Sequence, residues 1–400
     1  MLDAFIYDGL RTPVGRHAGA LAGIRPDDLL AQTIQGLMQR SWFEARHLED
    51  IVIGCTNQAG EDARNVARHA GLLAGLPVEV AAQTQNRLCG SGLSALIEAS
   101  RAVTCNEGDL FLAGGVESMS RAPYVISKTA TPFGRNAQMY DSTIGARFPN
   151  PQVEEVFGGD TMPQTADNIA RKLNISREAS DVFALESQQK YQKAKAAGFF
   201  EDEILPVTLK GKKAGQESQV REDEHPRPEA SLEKLASLKS LFPGGVVTAG
   251  NASGINDAAS LLLVGSRSIG LRYGVQPRGR IIAAAVAGVE PRLMGLGPVP
   301  AIKKALQRAG LKLNDMDVIE INEAFATQVL GCLQQLEVKP DDPRVNPAGG
   351  AIALGHPLGA SGSRLALTAL RQLEKTGNRY AVVSLCIGLG QGVAAVIERV

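Results

Sequence analysis

The sequence predicts an α/β protein built from two similar halves. Short aliphatic runs at residues 51–53, 110–113, 318–321 and 381–383 alternate with helix-length segments whose apolar residues recur three and four positions apart. Several of these segments also recur in the same order at an offset of 267 to 270 residues. Alternation of this kind is typical of an α/β protein, and a fixed offset indicates an internal duplication.

The repeat rests on three pairs of segments that keep their order along the chain. Residues 36–40 match 304–308, residues 50–53 match 317–320, and residues 109–113 match 379–383. Residues 119–249, which interrupt the first copy, have no counterpart in the second copy. We therefore expect an N-terminal half of residues 1–118 plus 250–275, an inserted domain of residues 119–249, and a C-terminal half of residues 276–400.

The inserted block resembles a lid or a binding subdomain in its composition. It contains a Pro/Asn-rich turn at 148–151, a helical stretch over 165–197 and a charged loop over 210–228. The mixed charges at 221–225 are expected to form a solvated surface, because mixed charge runs usually face water.

Charge and cysteine usage restrict the class of protein. The 400 residues carry 42 Lys+Arg and 42 Asp+Glu, so no net charge attracts nucleic acid or an anionic membrane. Five cysteines are odd in number and too sparse for a disulfide scaffold, which predicts reduced thiols in the cytoplasm.

The acidic N-terminus does not resemble a secretory signal, and the apolar run 281–289 is too short to span a bilayer. The expected partners are small molecules or further copies of the chain.

Cys89 is the first candidate for chemistry. It lies in the glycine-rich segment 86–92, directly before an apolar helical pattern at Leu93, Leu96 and Ile97. The positive end of a helix dipole lowers the pKa of a nearby thiol and favours the nucleophilic thiolate. The alternative is that Cys89 is a small buried apolar residue.

His356 occupies the equivalent position in the second half. It lies 267 residues after Cys89, in another glycine-rich turn, 355–362, that also precedes an apolar helix. If the halves are related by a pseudo-twofold axis, the two helix N-termini face each other, and a thiol and an imidazole become a nucleophile and its general base. The alternative is a structural histidine.

Two more segments place polar groups after strands at the same sheet edge, where α/β proteins bind ligands. Residues 318–321 lead into Asn322 and Glu323, and residues 381–385 lead into Cys386 and a glycine-rich turn whose backbone amides are suited to an oxyanion. That turn lacks the spacing of a dinucleotide fingerprint, and residues 350–356 end in His rather than the Lys of a phosphate loop. The sequence also has no HExxH, CxxC or GxSxG motif.

Five motifs together resemble the thiolases. They occupy residues 86–92, 114–119, 322–325, 349–357 and 386–392, in the expected order over almost the whole chain. Segments 57–62, 141–148 and 160–165 further resemble the thiolases that cleave 3-oxoadipyl-CoA in the breakdown of aromatic compounds. Thr161 stands where thiolases that form acetoacetyl-CoA tend to carry His.

The resemblance implies a five-layer αβαβα fold made of two duplicated halves, with the insertion as a loop domain that binds coenzyme A. It also implies a homotetramer made of two tight dimers. Coenzyme A would be a substrate, and neither a metal nor a tightly bound cofactor is expected.

Individual roles follow from the same resemblance. Cys89 would attack the 3-oxo carbon after losing its proton to His356, and Cys386 would protonate the acetyl-CoA enolate. Asn322 would hold a water near that enolate, and the amides of Cys89 and Gly388 would hold the tetrahedral oxyanion. The residues expected to contact coenzyme A are Arg227, Ser253, Met162, Met294 and Phe325.

Substrate choice is left open by the residues. A distal carboxylate would require a cation near the acyl end, for which Arg121, Arg135 and Arg147 are equal candidates. The alternatives are an acetyl-CoA acetyltransferase or a general 3-ketoacyl-CoA thiolase with the same mechanism, and a non-catalytic carrier of acyl-CoA or lipid.

Overall fold

The structure is a computed structural model that describes residues 1–211 and 216–400. Its strands are β1 (Ala4–Arg11), β2 (Gly15–Arg16), β3 (Asp50–Gly54), β4 (Ala81–Gln85), β5 (Leu110–Ser118), β6 (Tyr124–Ile126), β7 (Met139–Asp141), β8 (Val207–Lys210), β9 (Glu217–Val220), β10 (Asn256–Gly265), β11 (Gly279–Gly288), β12 (Val318–Ile321), β13 (Tyr380–Ile387) and β14 (Gln391–Arg399). Its helices are α1 (Pro26–Arg40), α2 (Val66–Leu73), α3 (Ser91–Thr104), α4 (Pro151–Phe157), α5 (Met162–Leu173), α6 (Arg177–Ala196), α7 (Leu232–Ala236), α8 (Arg267–Tyr273), α9 (Pro298–Ala309), α10 (Ala326–Gln335), α11 (Ala351–Leu354) and α12 (Leu358–Thr376).

Helix boundaries follow local sequence signals. Proline begins α9 at Pro298, where its missing N–H would be unpaired in any residue, and the helix ends at Gly310 in the left-handed conformation. Ser176 caps α6 by accepting the backbone N–H of Ala179 at 3.1 Å. Thr161 precedes α5, where its backbone N–H donates to Gln164 Oε1 at 2.8 Å. Thr161 thus helps to begin the helix that carries Met162.

The strand order of the two halves is mirrored. The N-terminal half runs β4-β3-β5-β10-β1, and the C-terminal half continues β11-β14-β13-β12. The halves join where residues 4–6 of β1 pair with residues 279–281 of β11. The place that corresponds to β4 in the second half holds only an isolated bridge between Ile319 and Val345. The repeat predicted from the sequence is therefore visible in the sheet, with one strand reduced in the second copy.

The five layers are packed together by three apolar cores, and the fold is the expected one. One lies under α1 and α2 and includes Ile34 and Ile53. A second surrounds α3 and α12 in the middle of the molecule, with Leu96 and Leu370 among its members. The third lies under α9 and α10 on the opposite side. Burial of apolar surface in these cores stabilises the protein by roughly 25 cal/mol for each Å² removed from water.

Helices α3 and α12 approach each other closely at their N-termini. A Cβ at Gly362 would lie 2.2 Å from the backbone nitrogen of Leu93, and a Cβ at Gly92 would lie 2.4 Å from the carbonyl oxygen of Gly359. Only glycine permits this distance between the two backbones. The two turns that precede these helices are consequently held against each other.

The segment between β5 and β10 contributes no described strand to the large sheet. It forms two separate hairpins, β6-β7 and β8-β9, together with α4 to α7. It packs on the second half through an aromatic cluster in which Tyr191 and Phe200 contact Leu354. These contacts place the insertion beside the turn that precedes α12.

The expectation that residues 221–225 form a solvated surface is wrong for Asp223. Its carboxylate is buried and accepts hydrogen bonds from Arg11 Nη1 at 2.6 Å, Arg11 Nη2 at 3.0 Å and the Tyr191 hydroxyl at 3.1 Å. A buried charge is tolerated when it is paired and fully hydrogen-bonded. The sequence could not reveal this pairing, because Arg11 and Asp223 are more than 200 residues apart.

We expect Gly362→Ala to destabilise the protein by about 1–3 kcal/mol, because the added methyl collides with the backbone of α3. This loss should exceed the gain of ~1 kcal/mol that alanine brings to a helix. Urea unfolding measures the difference. Gly23→Ala is the matched control, since no described atom lies within 4 Å of a Cβ at exposed Gly23. Equal stability of the two variants would contradict the close helix contact.

Candidate active site

Cys89 lies on a tight turn between β4 and α3. Leu88, directly before it, has a φ of +47°, a left-handed conformation that costs energy for a side chain of this size. The turn is held by the Leu88 N–H, which donates to Asn86 Oδ1 at 2.9 Å, and by the Ser91 hydroxyl, which donates to the Leu88 carbonyl at 2.6 Å. These contacts fix the cysteine immediately before the first turn of α3.

The expectation that the helix lowers the pKa of Cys89 is wrong for this site. Burial raises the pKa of the Cys89 thiol to about 11, although the backbone amides of Gly388 and of Cys89 itself act to lower it. Desolvation of the thiolate therefore outweighs the favourable amides. The thiol is neutral at physiological pH and requires a base to become a nucleophile.

His356 is a buried neutral base in the turn before α12. Its backbone N–H donates to Asn256 Oδ1 at 2.9 Å, and its Nδ1 lies 2.6 Å from Ser361 Oγ. The Ser361 hydroxyl is also 2.9 Å from the Pro357 carbonyl, to which it donates. We therefore assign the imidazole proton to Nδ1, where it donates to Ser361, and this leaves Nε2 as the unprotonated, accepting nitrogen.

Charge and burial both act against protonation of this histidine. Burial, followed by the positive charge of Arg364, lowers the pKa of His356 to about 3. Because the folded-state pKa is lowered, the imidazole is neutral throughout the physiological range. His356 can accept a proton only when negative charge develops beside it.

Asn322 lies against this histidine at the end of β12. Its Nδ2 is 3.3 Å from His356 Nε2, and its backbone N–H donates to the Ser384 carbonyl at 2.9 Å. The side chain is buried, and its Oδ1 accepts no hydrogen bond from the described residues. The amide is thus positioned beside the basic nitrogen, with an acceptor oxygen available to a ligand.

Cys386 lies on the other side of the site, at the end of β13. Burial, followed by the negative charge of a Cys89 thiolate, raises the pKa of Cys386 well above its usual value. The two sulfurs are therefore electrostatic neighbours, and Cys386 is a protonated thiol able to donate a proton.

Gly388 lies between the cysteine turn and α5. A Cβ at this position would be 3.2 Å from Leu88 Cδ1 and 3.7 Å from Met162 Sδ.

An apolar cluster surrounds Cys386. It contains Met294 and Phe325, and Met162 packs against it. Ser253 borders the same cluster, since its backbone N–H donates to the Ala324 carbonyl at 2.9 Å. The structure thus brings four of the five residues expected to contact coenzyme A close to Cys386.

Arg227 does not join this group. It is exposed, and its backbone N–H donates to Gln188 Oε1 on α6 at 2.8 Å. Across the described residues, no hydrogen bond or ion pair of its guanidinium links it to the apolar cluster. Its role in coenzyme A binding remains a prediction.

The three arginines considered for a distal carboxylate differ in their surroundings. Arg121 donates to both oxygens of Glu61, with Nη2 2.6 Å from Oε1, and Arg147 donates to the Ser142 carbonyl. Arg135 is exposed and has no side-chain hydrogen bond to the described part of the chain. Of the three, Arg135 has the guanidinium with most capacity for a new partner.

Some residues of the site were missed by the sequence analysis, and one candidate does not belong to it. Asn256 and Ser361 support His356 directly, and the position of Ser361 in the first turn of α12 was the available signal. The Glu323 carboxylate is already hydrogen-bonded, because it accepts from the Ser187 hydroxyl at 2.6 Å and from Asn346 Nδ2 at 2.8 Å. It also accepts the N–H of Ile352 at 3.1 Å and so helps to fix α11.

Residues 1–211 and 216–400 contain no group of three or more His, Cys, Asp or Glu side chains arranged to hold a metal ion. No helix in these ranges combines the length and hydropathy needed to cross a membrane.

We expect the imidazole of His356 to stay neutral, with its proton on Nδ1, from pH 8 to pH 5, because burial and Arg364 hold its pKa at about 3. ¹⁵N NMR of histidine-labelled protein measures this, and His356→Gln assigns the signal among the five histidines. Ser361→Ala should shift the proton between the two nitrogens, since it removes the acceptor. A titration of this signal near pH 6.5 would contradict the assignment.

Comparison with known proteins gives the family. A family model described as the thiolase N-terminal domain matches residues 4–268, and one described as the thiolase C-terminal domain matches residues 275–399. A beta-ketoadipyl-CoA thiolase of Escherichia coli is 56% identical over 100% of both chains. A mitochondrial 3-ketoacyl-CoA thiolase of Mus musculus is 41% identical over 99% of this chain and 98% of its own.

Solved structures agree with this result. The crystal structure of human mitochondrial 3-ketoacyl-CoA thiolase in complex with CoA superposes with a TM-score of 0.91, at 38% identity, and covers 100% of this chain and 98% of that chain. The sequence motifs, the mirrored halves and the two family models lead to one conclusion: this chain belongs to the thiolase family.

Proposed function

We propose that this thiolase cleaves 3-oxoadipyl-CoA with coenzyme A to give succinyl-CoA and acetyl-CoA, through an acyl group carried on Cys89. The observation that carries the proposal is the close approach of α3 and α12 at their N-termini, directly after Cys89 and His356, with Cys386 electrostatically coupled to Cys89. One thiol can act as a nucleophile and the other as an acid, which is what cleavage of a carbon–carbon bond next to a thioester requires.

The first half-reaction begins with the Cys89 thiol. Its sulfur attacks the 3-oxo carbon while its proton moves to His356 Nε2. Because the pKa values of about 11 and about 3 make a free thiolate–imidazolium pair unfavourable, proton transfer accompanies bond formation. The backbone amides of Cys89 and Gly388, which face the sulfur, stabilise the tetrahedral oxyanion.

Cleavage of the C2–C3 bond leaves succinyl-Cys89 and the enolate of acetyl-CoA. The enolate oxygen lies near protonated His356 and the amide of Asn322, and Cys386 gives its proton to C2. Acetyl-CoA then departs, and Cys386 is a thiolate. The acid and base roles would therefore belong to two groups, Cys386 at the end of β13 and His356 in the turn before α12.

The second half-reaction restores both thiols. Coenzyme A gives its proton to the Cys386 thiolate and attacks the succinyl thioester, and Cys89 leaves with the proton that His356 had held. Atoms and charges balance over the cycle, and no step needs an oxidant or a reductant.

Residues 119–249 are proposed as the coenzyme A loop domain. Met162, Met294 and Phe325 would line the channel for the pantetheine arm, because they form the apolar surroundings of Cys386. Ser253, at the border of this cluster, would meet a polar group of the arm. Arg227 would pair with a phosphate, since its guanidinium is exposed on the same inserted segment.

A dicarboxylic substrate is preferred here to a neutral one for two reasons. The relative named for beta-ketoadipyl-CoA is 56% identical, whereas the relative named for general 3-ketoacyl-CoA is 41% identical. The inserted segment also offers Arg135 as a cation for the distal carboxylate. The other candidate function is a thiolase for acetoacetyl-CoA or longer neutral chains.

The assembly is proposed as a cytoplasmic homotetramer. The β6-β7 hairpin exposes Tyr124, Ile126, Phe133 and Met139, each more than 60% accessible. Exposed apolar groups on a projecting hairpin favour burial against another copy of the chain. Strand β4 pairs only with β3 among the described strands, so its free edge is a second place for contact.

We expect wild-type protein incubated with 3-oxoadipyl-CoA, without free coenzyme A, to gain the mass of a succinyl group on the peptide that contains Cys89. Peptide mass spectrometry locates the adduct. Cys89→Ser should lose the adduct and roughly 10⁴-fold or more in kcat. Cys105→Ser is the control, because Cys105 is exposed and distant from the motifs of the site. An adduct on any other residue would refute the assignment of the nucleophile.

We expect kcat/KM for 3-oxoadipyl-CoA to exceed that for acetoacetyl-CoA, because only the first substrate offers a carboxylate to a cation. Arg135→Gln should reduce this preference by about 10-fold or more, since charge-assisted hydrogen bonds contribute roughly 1.5–3 kcal/mol. Steady-state kinetics with both substrates measures the ratio. Equal or better turnover of acetoacetyl-CoA by the wild type would favour the neutral-substrate alternative.

A further inference from the structure

Helix α12, which follows His356, begins without a cap of its own. The residue at its N-cap is Pro357, and no side chain of that residue accepts a hydrogen bond from the first turn. The first turn of any helix has unpaired N–H groups that need acceptors. One of them, the N–H of Gly359, donates to Glu117 Oε2 at 2.8 Å. The cap therefore comes from β5, in the other half of the molecule.

The same carboxylate holds the loop that follows β3. Glu117 Oε2 also accepts the N–H of Thr56 at 3.0 Å, and Oε1 accepts the N–H of Asn57 at 3.2 Å. The Glu117 side chain is 2% exposed, so these three backbone amides replace water around a buried acid. A single carboxylate thus ties a turn of the C-terminal half to a loop of the N-terminal half.

The connection continues from that loop to the cysteine turn. Asn86 Nδ2 donates to the Thr56 carbonyl at 3.0 Å, and Asn86 Oδ1 accepts the N–H of Leu88 at 2.9 Å. Leu88 directly precedes Cys89 and has the left-handed φ described above. A continuous series of hydrogen bonds therefore runs from the first turn of α12, through Glu117, to the residue before the nucleophile.

We propose that Glu117 is a positioning residue that sets the spacing between the Cys89 turn and the His356 turn. The proposal rests on the roles proposed above for these two residues. Among the described residues, Glu117 makes no hydrogen bond to the thiol or the imidazole, and its hydrogen bonds hold the two turns instead. Its negative charge also acts to raise the pKa of Cys89. Without it, each half would keep its own turn, but the distance between nucleophile and base would be less well defined.

A carboxylate is the group that fits this position. Its two oxygens accept from three amides, and the one oxygen of glutamine would leave an N–H facing the amide NH₂ group. Burial raises the pKa of Glu117 to about 7, although the amides of Thr56 and Gly359 act to lower it. Burial of the acid is thus unfavourable, and the three amide contacts offset it in part. A shorter or neutral side chain would not make the same three contacts.

The test compares Glu117→Gln with Glu398→Gln. Glu398 is also largely buried, but it pairs with Arg379 and Arg280 at the strand ends remote from the site. We expect Glu117→Gln to lower kcat by about 10- to 100-fold, as a misplaced catalytic pair does, with KM for coenzyme A unchanged. The loss should be equal for 3-oxoadipyl-CoA and acetoacetyl-CoA. Glu398→Gln should change the melting temperature and leave kcat unchanged.

Asn86→Ala provides a second test if Glu117→Gln does not fold. Asn86 is exposed, so its truncation leaves no cavity in a core, yet it interrupts the same series of hydrogen bonds. It should lower kcat in the same way, again with KM for coenzyme A unchanged. Unchanged kcat in both variants, or a loss of kcat that only follows the fraction of unfolded protein, would overturn the proposal.

Failure of this inference can be distinguished from failure of the proposed function. If wild-type protein forms no acyl group on Cys89, the proposed function fails. If wild-type protein forms it, and folded Glu117→Gln forms it at the same rate, the positioning role fails while the function stands.

Discussion

The structure depends on one steric constraint, the contact between the N-termini of α3 and α12. Glycines at 92 and 362 allow the two backbones to approach to distances that no side chain would permit. The turns before both helices, which carry Cys89 and His356, are thereby placed in one site. The five layers and the mirrored sheet serve to bring these two helices together from opposite halves.

The electrostatic character of the site follows from this central position. Burial raises the pKa of Cys89 and lowers that of His356, so both groups are neutral before substrate binds. A neutral pair does not pay the full cost of burying two charges. In the proposed mechanism charge appears only as bonds form, close to the backbone amides of Gly388 and Cys89 that already face the sulfur.

Much of the fold was predictable because the duplication left regular spacing in the sequence, and the same offset located His356 from Cys89. The pKa of Cys89 was predicted in the wrong direction, since a sequence shows the helix but not the desolvation around it. Asp223 was misjudged for a similar reason: its partner Arg11 is distant in the chain. Glu117 stood in a recognised motif, but its three amide partners come from separate segments.

The division of the site between the halves has a consequence for folding. The N-terminal half supplies Cys89, whereas the C-terminal half supplies Asn322, His356 and Cys386. Among the described residues, strand pairing between the two halves of the large sheet is confined to residues 4–6 and 279–281. Either half could keep its own hydrogen-bonded strands after a slight separation, yet the chemistry proposed for these residues would stop. Under that mechanism, activity is a direct readout of how well the two halves are docked.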